Sequence, residues 1–216
     1  MNELDIATLR RQAETPVEAG LADLNQVGDD LSDAFAEDPV FDWFVRNDAR
    51  REAVRRQFFR YIVRNMGFGA GSIEMPAGGG AAAMWMPFSF VGPAPFFDEL
   101  RMLPTILATT GFSRLGRLMA MREDLDKHHP TDRSHAYLWF IGVARRAQGH
   151  GVGSRLLKVG TDRLDAQAMP AYLETQTERN VSLYRRHGFE VISEHRARPD
   201  APMMWSMWRD PLPPDV

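Results

Sequence analysis

The sequence predicts an α/β chain of the α+β kind, with a mixed, mostly antiparallel central sheet flanked by helices. Three observations carry this. "HAYLWFIGV", residues 135–143, is an apolar run without polar alternation, the pattern of a strand buried on both faces. "PAYLET", residues 170–175, is a second such run. Between them "GVGSRLLKVGTDRLDAQ", residues 151–167, sets Val152, Leu156, Val159 and Leu164 on one helical face. A parallel strand pair needs a crossover, and this helix supplies it. The two strands are expected to run parallel.

The remaining elements follow in chain order. Residues 1–14 read as a loose tail, or a short helix with little to bury. "VEAGLADLNQVGDDLSDAFAEDP" opens on a short strand and continues with Leu24, Val27, Leu31, Ala34 and Phe35 at helical spacing, closed by Pro39. "VFDWFV" is an aromatic cluster. "DARREAVRRQFFRYIVRNMG" predicts a helix with Asp48 as N-cap, Val54, Phe58, Tyr61 and Ile62 on one face, and Gly67 as its stop. "GSIEMPAGGGAAAMWMPF" reads as a hairpin turning at Ala77–Gly80 and ending at Pro87. Residues 93–127 are rich in Met and Leu and predict two helices broken near Gly111. "RNVSLYRRHGF" is a short helix with Gly188 as its C′ residue and Phe189 packing back. "EVISEHRA" and "PMMWSMWR" are closing strands, and "PLPPDV" is a disordered end. The length of 216 residues suits one domain over 15–210, with a helical insert at about 93–127 and tails at 1–14 and 211–216.

Composition narrows the function. A net charge of −3 gives no global argument for nucleic acid. The absence of cysteine excludes disulfides, thiolate zinc sites, iron–sulfur clusters and a cysteine nucleophile. The charged start "MNELDIATLRRQAETP" lacks the apolar segment of a secretory signal, and no uncharged stretch reaches membrane-spanning length. The expectation is a soluble cytoplasmic protein with no membrane partner. No HExxH occurs and no acids cluster at ligand spacing, so no metal is expected.

The informative stretch is "IGVARRAQGHGVGSRLL", residues 141–157. A strand runs into a loop with glycines at 149, 151 and 153, and a helix follows. Glycines let backbone N–H groups approach an anion, and the helix N-terminus adds partial positive charge. A nucleotide P-loop needs Lys and Ser/Thr after its last glycine, whereas Gly153 is followed by Ser and Arg. A dinucleotide fingerprint needs G-x-G-x-x-G directly after the strand and a second mononucleotide half, and the loop has neither. A plain glycine-rich connector stays open on the loop alone.

"Q-G-H-G-V-G", Gln148 to Gly153, resembles the Q/R-x-x-G-x-G/A loop of the GNAT acetyltransferase superfamily. "YLETQTERNVSLYRRHGFEV" resembles the second half of the GNAT core, and the layout from "AFAEDP" to "MWSMWR" is similar to the puromycin N-acetyltransferase-like branch over roughly residues 16–210. The resemblance implies a GNAT acyl-CoA N-acyltransferase fold, in which the strands at 136–143 and 171–175 splay apart with the cofactor between them. It also implies acetyl-CoA as co-substrate, its pyrophosphate on the loop amides. The cofactor-contacting set it implies is Ile141, Gly142, Val143, Gln148, Gly149, His150, Gly151, Val152, Gly153, Ser154, Asn180, Ser182 and Tyr184. Val143 N–H is the implied donor to the thioester carbonyl. Asn180 and Ser182 either touch the pantetheine or cap their helix. On the residues alone Tyr184 is a core tyrosine capping a short helix or an acid, and Glu174 an exposed strand-end acid or a base; the resemblance implies that Tyr184, at the family's tyrosine near the sulfur, is the acid and that Glu174, at the matching strand end, is the base or water-positioner.

Arg145 and Arg146 either meet the 3′-phosphate or are simply solvated. His128, His129 and His135 gather before the cofactor strand, as pocket lining or aids to proton transfer. For the acceptor side Phe41, Trp43, Phe44, Trp85, Phe88 and Phe90 either line an apolar pocket or are plain core packing, and Asp38 and Asp42 either attract a cationic amine or are ordinary surface acids. The function expected is acetyl transfer to a small-molecule amine within a ternary complex, by a monomer or homodimer. The alternatives are a catalytically silent acyl-CoA-binding sensor and a protein or peptide N-acetyltransferase.

Overall fold

The computed structural model describes residues 5–90 and 96–213, and for 96–100 the backbone alone. The ends of the two expected tails, residues 1–4 and 214–216, and the start of the insert at 93–95 lie outside the described residues. The helices are α1 (Ile6–Glu14), α2 (Leu24–Ala34), α3 (Pro39–Phe44), α4 (Arg51–Ile62), α5 (Phe96–His128), α6 (Val152–Ala166) and α7 (Glu178–Arg185). The strands are β1 (Val17–Glu18), β2 (Ser72–Met75), β3 (Ala81–Pro87), β4 (Ala136–Val143), β5 (Ala171–Thr175), β6 (Glu190–His195) and β7 (Met204–Arg209). The sheet has seven strands in the order β1-β2-β3-β4-β5-β7-β6.

β4 and β5 are parallel, and the other described neighbours are antiparallel. The parallel pair meets at Ala136↔Ala171 and Tyr137↔Tyr172 and goes no further, although β4 runs on to Val143 and β5 to Thr175. The strands therefore part as the sequence led one to expect. One contributor was not foreseen. The β3–β4 register shifts between Met84 and Trp85, which face Phe140 and Leu138, so Trp139 is an extra residue in β4. A bulge of this kind bends its strand and increases the local twist.

α6 crosses over one face of the sheet. Its inner side is Val152, Leu156, Leu157, Gly160 and Leu164, while Val159, expected inward, is only half-buried on the flank. Gly160 permits the close approach: a Cβ there would lie 2.6 Å from ring atoms of buried Trp85. Residues 6–14, expected as a tail or a helix with little to bury, form α1, and its Leu9 and Ala13 are fully buried in the same cluster as α6. The opposite face is covered by α2, α3, α4 and α5. An aromatic core of Phe35, Phe41, Phe44, Phe58 and Phe59 fills the space, with Phe41 stacked on Phe59 at 5.0 Å.

Two helix ends differ from expectation. Asp48 does not cap α4 directly; its carboxylate accepts from Arg50 N–H at 2.9 Å, and the helix starts at Arg51. The other end runs on through a π turn, Val63–Gly67, before Gly67 ends it. α5 is two helices, broken at Gly111 (φ 62, ψ 177), as expected. Gly188 (φ 84) lies two residues beyond the cap Arg186 rather than at C′, and Phe189 N–H bonds back to Tyr184. Residues 211–213, expected within a disordered end, begin with an anchor: Leu212 N–H donates to Asp165 at 2.8 Å. No helix among the described residues is long and apolar enough to cross a membrane.

Candidate active site

The loop after β4 is a glycine turn whose later backbone amides have no described protein partner. Gly149 (φ 81) and Gly151 (φ 76) lie in the left-handed region that side chains avoid, which explains why glycines stand there. Gln148 Nε2 donates to Val143 O at 2.9 Å and ties the loop to the strand end. The backbone amides of Gly149, His150, Gly151, Val152, Gly153 and Ser154 donate to no described protein group; Arg155 N–H is the first to bond back, to Gly151 O at 3.2 Å. Unsatisfied N–H groups at a helix start suit an anion. Arg145 and Arg146 are engaged instead by α2, with Asp33 at 2.9 Å and Asp30 at 3.2 Å.

Where β4 and β5 part, a cavity of about 980 Å³ opens toward α3, α4 and α5. Of the residues singled out in the sequence, Ile141, Asn180, Tyr184 and Glu174 line it. Gly142 is buried against Leu31 and Ala34 of α2, and Val143 lies at the loop end of β4. The loop residues stand apart from the cavity wall, and Ser182 points outward on α7. The Thr177 side chain accepts from Asn180 N–H, so Thr177 rather than Asn180 or Ser182 caps α7.

Tyr184 is 6% exposed, and its ring packs edge-on against Phe189 at 5.9 Å. Its hydroxyl makes no hydrogen bond to a described protein group, and burial pushes the phenol above its ordinary range. Tyr184 thus stays protonated and can donate. Glu174 is nearly buried, and its Oε1 has no hydrogen-bond partner. Tyr137 and Tyr172 lie beside it, both held protonated by burial and then by the Glu174 charge.

On the acceptor side Phe41, Phe44, Phe90 and Asp38 line the cavity. Trp43, Trp85 and Phe88 do not: Trp43 donates to Asp200 at 3.0 Å, Trp85 lies under α6, and Phe88 meets the His135 ring. Asp42 is exposed and pairs with Arg51. Asp38 caps α3 through Val40 N–H and Phe41 N–H and touches Gln176; burial pushes its carboxyl up to about 7. The sequence reading missed Tyr61, Asn65, Met66, Tyr137 and Trp139 as lining residues. Trp139 has no local signal, because its placement follows from the bulge.

His129 also lines the cavity, with His135 behind it. His128 does not. It stacks on His195 at 3.9 Å beside Asp124, and these three side chains bring potential ligand atoms within 4.8 Å of one another. His195 Nδ1 is 2.6 Å from the Asp124 carboxylate, its Nε2 is 3.0 Å from Ser206 Oγ, and His128 Nδ1 donates to the Asp124 carbonyl, so hydrogen bonds hold the cluster together and no metal is assigned to it.

Parallel strands that part beside a glycine loop with free amides define a class: the fold is that of the GNAT acyltransferase superfamily. The model of the acetyltransferase (GNAT) family matches residues 96–189. The Corynebacterium glutamicum structure described as histone acetyltransferase HPA2 and related acetyltransferase is 26% identical, covers 93% of this chain and 98% of that one, and gives a TM-score of 0.68. A mycothiol acetyltransferase of Jonesia denitrificans is 36% identical over 72 residues, 32% of this chain and 23% of that protein. A probable serine/threonine-protein kinase of Dictyostelium discoideum is 24% identical over 187 residues, 78% of this chain and 20% of that protein. The chain thus spans about a fifth of the length of the curated relatives it matches.

Proposed function

We propose that this protein is an acetyl-CoA-dependent N-acetyltransferase acting on a small-molecule amine by direct transfer in a ternary complex, in the puromycin N-acetyltransferase-like branch. The observation that carries the reading is a buried carboxylate and a buried phenol, Glu174 and Tyr184, lining one cavity where β4 and β5 part, with a loop of unbonded amides following the far end of β4. The cofactor's pyrophosphate would lie on the amides of Gly149–Ser154, and its pantetheine arm would enter where β4 and β5 part. When bound, acetyl-CoA supplies the activated acetyl group.

An alkyl amine has a pKa of about 10, so near neutral pH it must lose a proton before it attacks. Glu174 takes that proton, directly or through water. The amine nitrogen then bonds to the thioester carbon, and the carbonyl oxygen is held by Val143 N–H. The C–S bond breaks, and the sulfur receives a proton from Tyr184, which is replenished from solvent. The aromatic and aliphatic part of the cavity lining suits a compact acceptor better than an extended chain.

The test is calorimetric titration with coenzyme A together with thiol release from acetyl-CoA over a panel of amines. Equal yields of thiol and acetylated amine are expected. Binding without release identifies a silent acyl-CoA binder. Mass shifts on peptides but not on amines identify a peptide acetyltransferase.

A further inference from the structure

Glu174 has a structural partner that the function above does not use. His129 stands beside it, Nδ1 at 3.7 Å from Glu174 Oε1, on the buried oxygen that has no hydrogen bond. The other nitrogen of His129, Nε2, is 2.9 Å from Nε2 of His135, and His135 Nδ1 is 3.0 Å from the carbonyl of Arg133. All of these side chains are buried.

The order of protons along this row follows from its end. A carbonyl only accepts, so His135 carries its hydrogen on Nδ1. Burial, the largest influence on His135, favours its neutral form. Neutral His135 then presents a lone pair at Nε2, and His129 must donate its own Nε2–H to it. That fixes the tautomer of neutral His129: its Nδ1 is bare and faces a bare carboxylate oxygen. Two facing lone pairs form a socket for one proton. A proton that reaches Glu174 and moves to His129 Nδ1, once the 3.7 Å gap between them closes to hydrogen-bond distance, leaves a buried imidazolium paired with a carboxylate.

We propose that His129, oriented by His135, is a positioning residue for Glu174 and shares with it the proton released by the acceptor amine. This rests on the acetyltransferase reading above. In balance, the ammonium N–H bond breaks, Glu174 receives the proton, and His129 Nδ1 takes it over. After the acetylated product leaves, the proton returns through Glu174 to water in the open cavity. The other titratable and charged groups acting on the row are Tyr137 on β4, Tyr172 on β5, Asp126 near the end of α5, and Arg133 before β4. Both phenols stay protonated and neutral, so the row has one mobile proton.

The experiment has two arms on the full chain. In the first, long-range proton–nitrogen NMR reads the histidine tautomers of the wild type and of Glu174→Gln. His135 should appear as the Nδ1–H form and neutral His129 as the Nε2–H form. His129 should hold its second proton less readily in Glu174→Gln than in the wild type, because the neighbouring carboxylate is lost. In the second arm, His129→Asn should lower kcat by roughly tenfold to a hundredfold, leave coenzyme A affinity unchanged, and move the acidic limb of the kcat/KM profile. A purely structural role would leave that limb in place. An Nδ1–H tautomer for His129, a second proton held as readily in Glu174→Gln, or an unmoved limb overturns the relay while wild-type turnover keeps the acetyltransferase reading. A wild type that binds coenzyme A but acetylates no amine removes that reading and the relay with it. Should His129→Asn fail to fold, the NMR arm decides alone.

Discussion

Replacing Tyr184 by Phe removes one hydroxyl and leaves the ring that packs against Phe189. That hydroxyl makes no hydrogen bond to a described protein group and reaches the cavity, so folding should hardly register its loss. Stability should change by no more than about 0.5 kcal/mol, as for substitutions that touch no packing or buried bond. Affinity for coenzyme A should also hold, because the acid acts when charge builds on the departing sulfur, and such an interaction appears in kcat. General-acid help is worth roughly 10²–10⁴-fold. A thiol has a pKa of about 8.5 and leaves fairly well unaided, so the low end applies, roughly 10²-fold or about 2.7 kcal/mol in the barrier. Burial raises the Tyr184 phenol, so the wild type should lose no rate to its ionisation below about pH 10. The assay is steady-state thiol release at saturating acceptor, beside calorimetry and a thermal melt. Wild-type kcat in the Phe variant, with chemistry limiting, would remove Tyr184 from the mechanism.

Other variants probe the loop, the crossover and the cavity rim. Gly151→Val forces a β-branched residue to φ 76 and sets a Cβ 2.7 Å from Arg155 Nη1; coenzyme A affinity should fall tenfold or more, roughly the loss of one charge-assisted hydrogen bond, and unchanged calorimetry with an intact fold would count against the loop. Gly160→Ala pushes a methyl into the Trp85 ring, an overpacking cost of about 1–3 kcal/mol, against roughly 1 kcal/mol of helix propensity gained; a denaturant midpoint at or above wild type would show that the ring yields. Asp38→Asn tests burial. The folded carboxyl is raised to about 7, so between its ordinary value and that point the folded state holds a proton the unfolded chain has lost. Stability through this group therefore falls as pH rises across that window, and the Asn variant should flatten the slope in melts at about pH 5 and pH 8.

The legible parts of this chain are local. The runs at β4 and β5 are apolar on both faces because the sheet is covered on both sides, and residues 152–164 repeat at helical spacing. Gly149 and Gly151 were readable because backbone in the left-handed region excludes other residues. What escaped is set by pairing across sequence. Asp30 and Asp33 claim Arg146 and Arg145 from more than a hundred residues away. The Trp139 bulge depends on register with β3, and the Glu174–His129 contact joins elements 45 residues apart, so neither leaves a periodic trace. Asp48 was misread for a different reason: an aspartate bonding two residues ahead has the composition of a cap without its position.

β1 to β4 and β5 to β6 meet through two residue pairs, Ala136–Ala171 and Tyr137–Tyr172. Beyond them each lip of the gap carries main-chain groups with no strand opposite, inside the molecule rather than at its rim. An outer edge invites another chain to add a strand; an inward seam is shielded from that recruitment by its own opposite lip. An extended ligand with amides of its own, lying in the seam, would complete the ladder as a missing strand does. The two halves are also held by the core that α6 packs against both, where Trp85 and Leu138 meet Leu173 and Met207 in one cluster; a ligand in the seam adds main-chain bonds to that packing. Resistance to unfolding should therefore rise with the concentration of whatever fills the gap, by mass action.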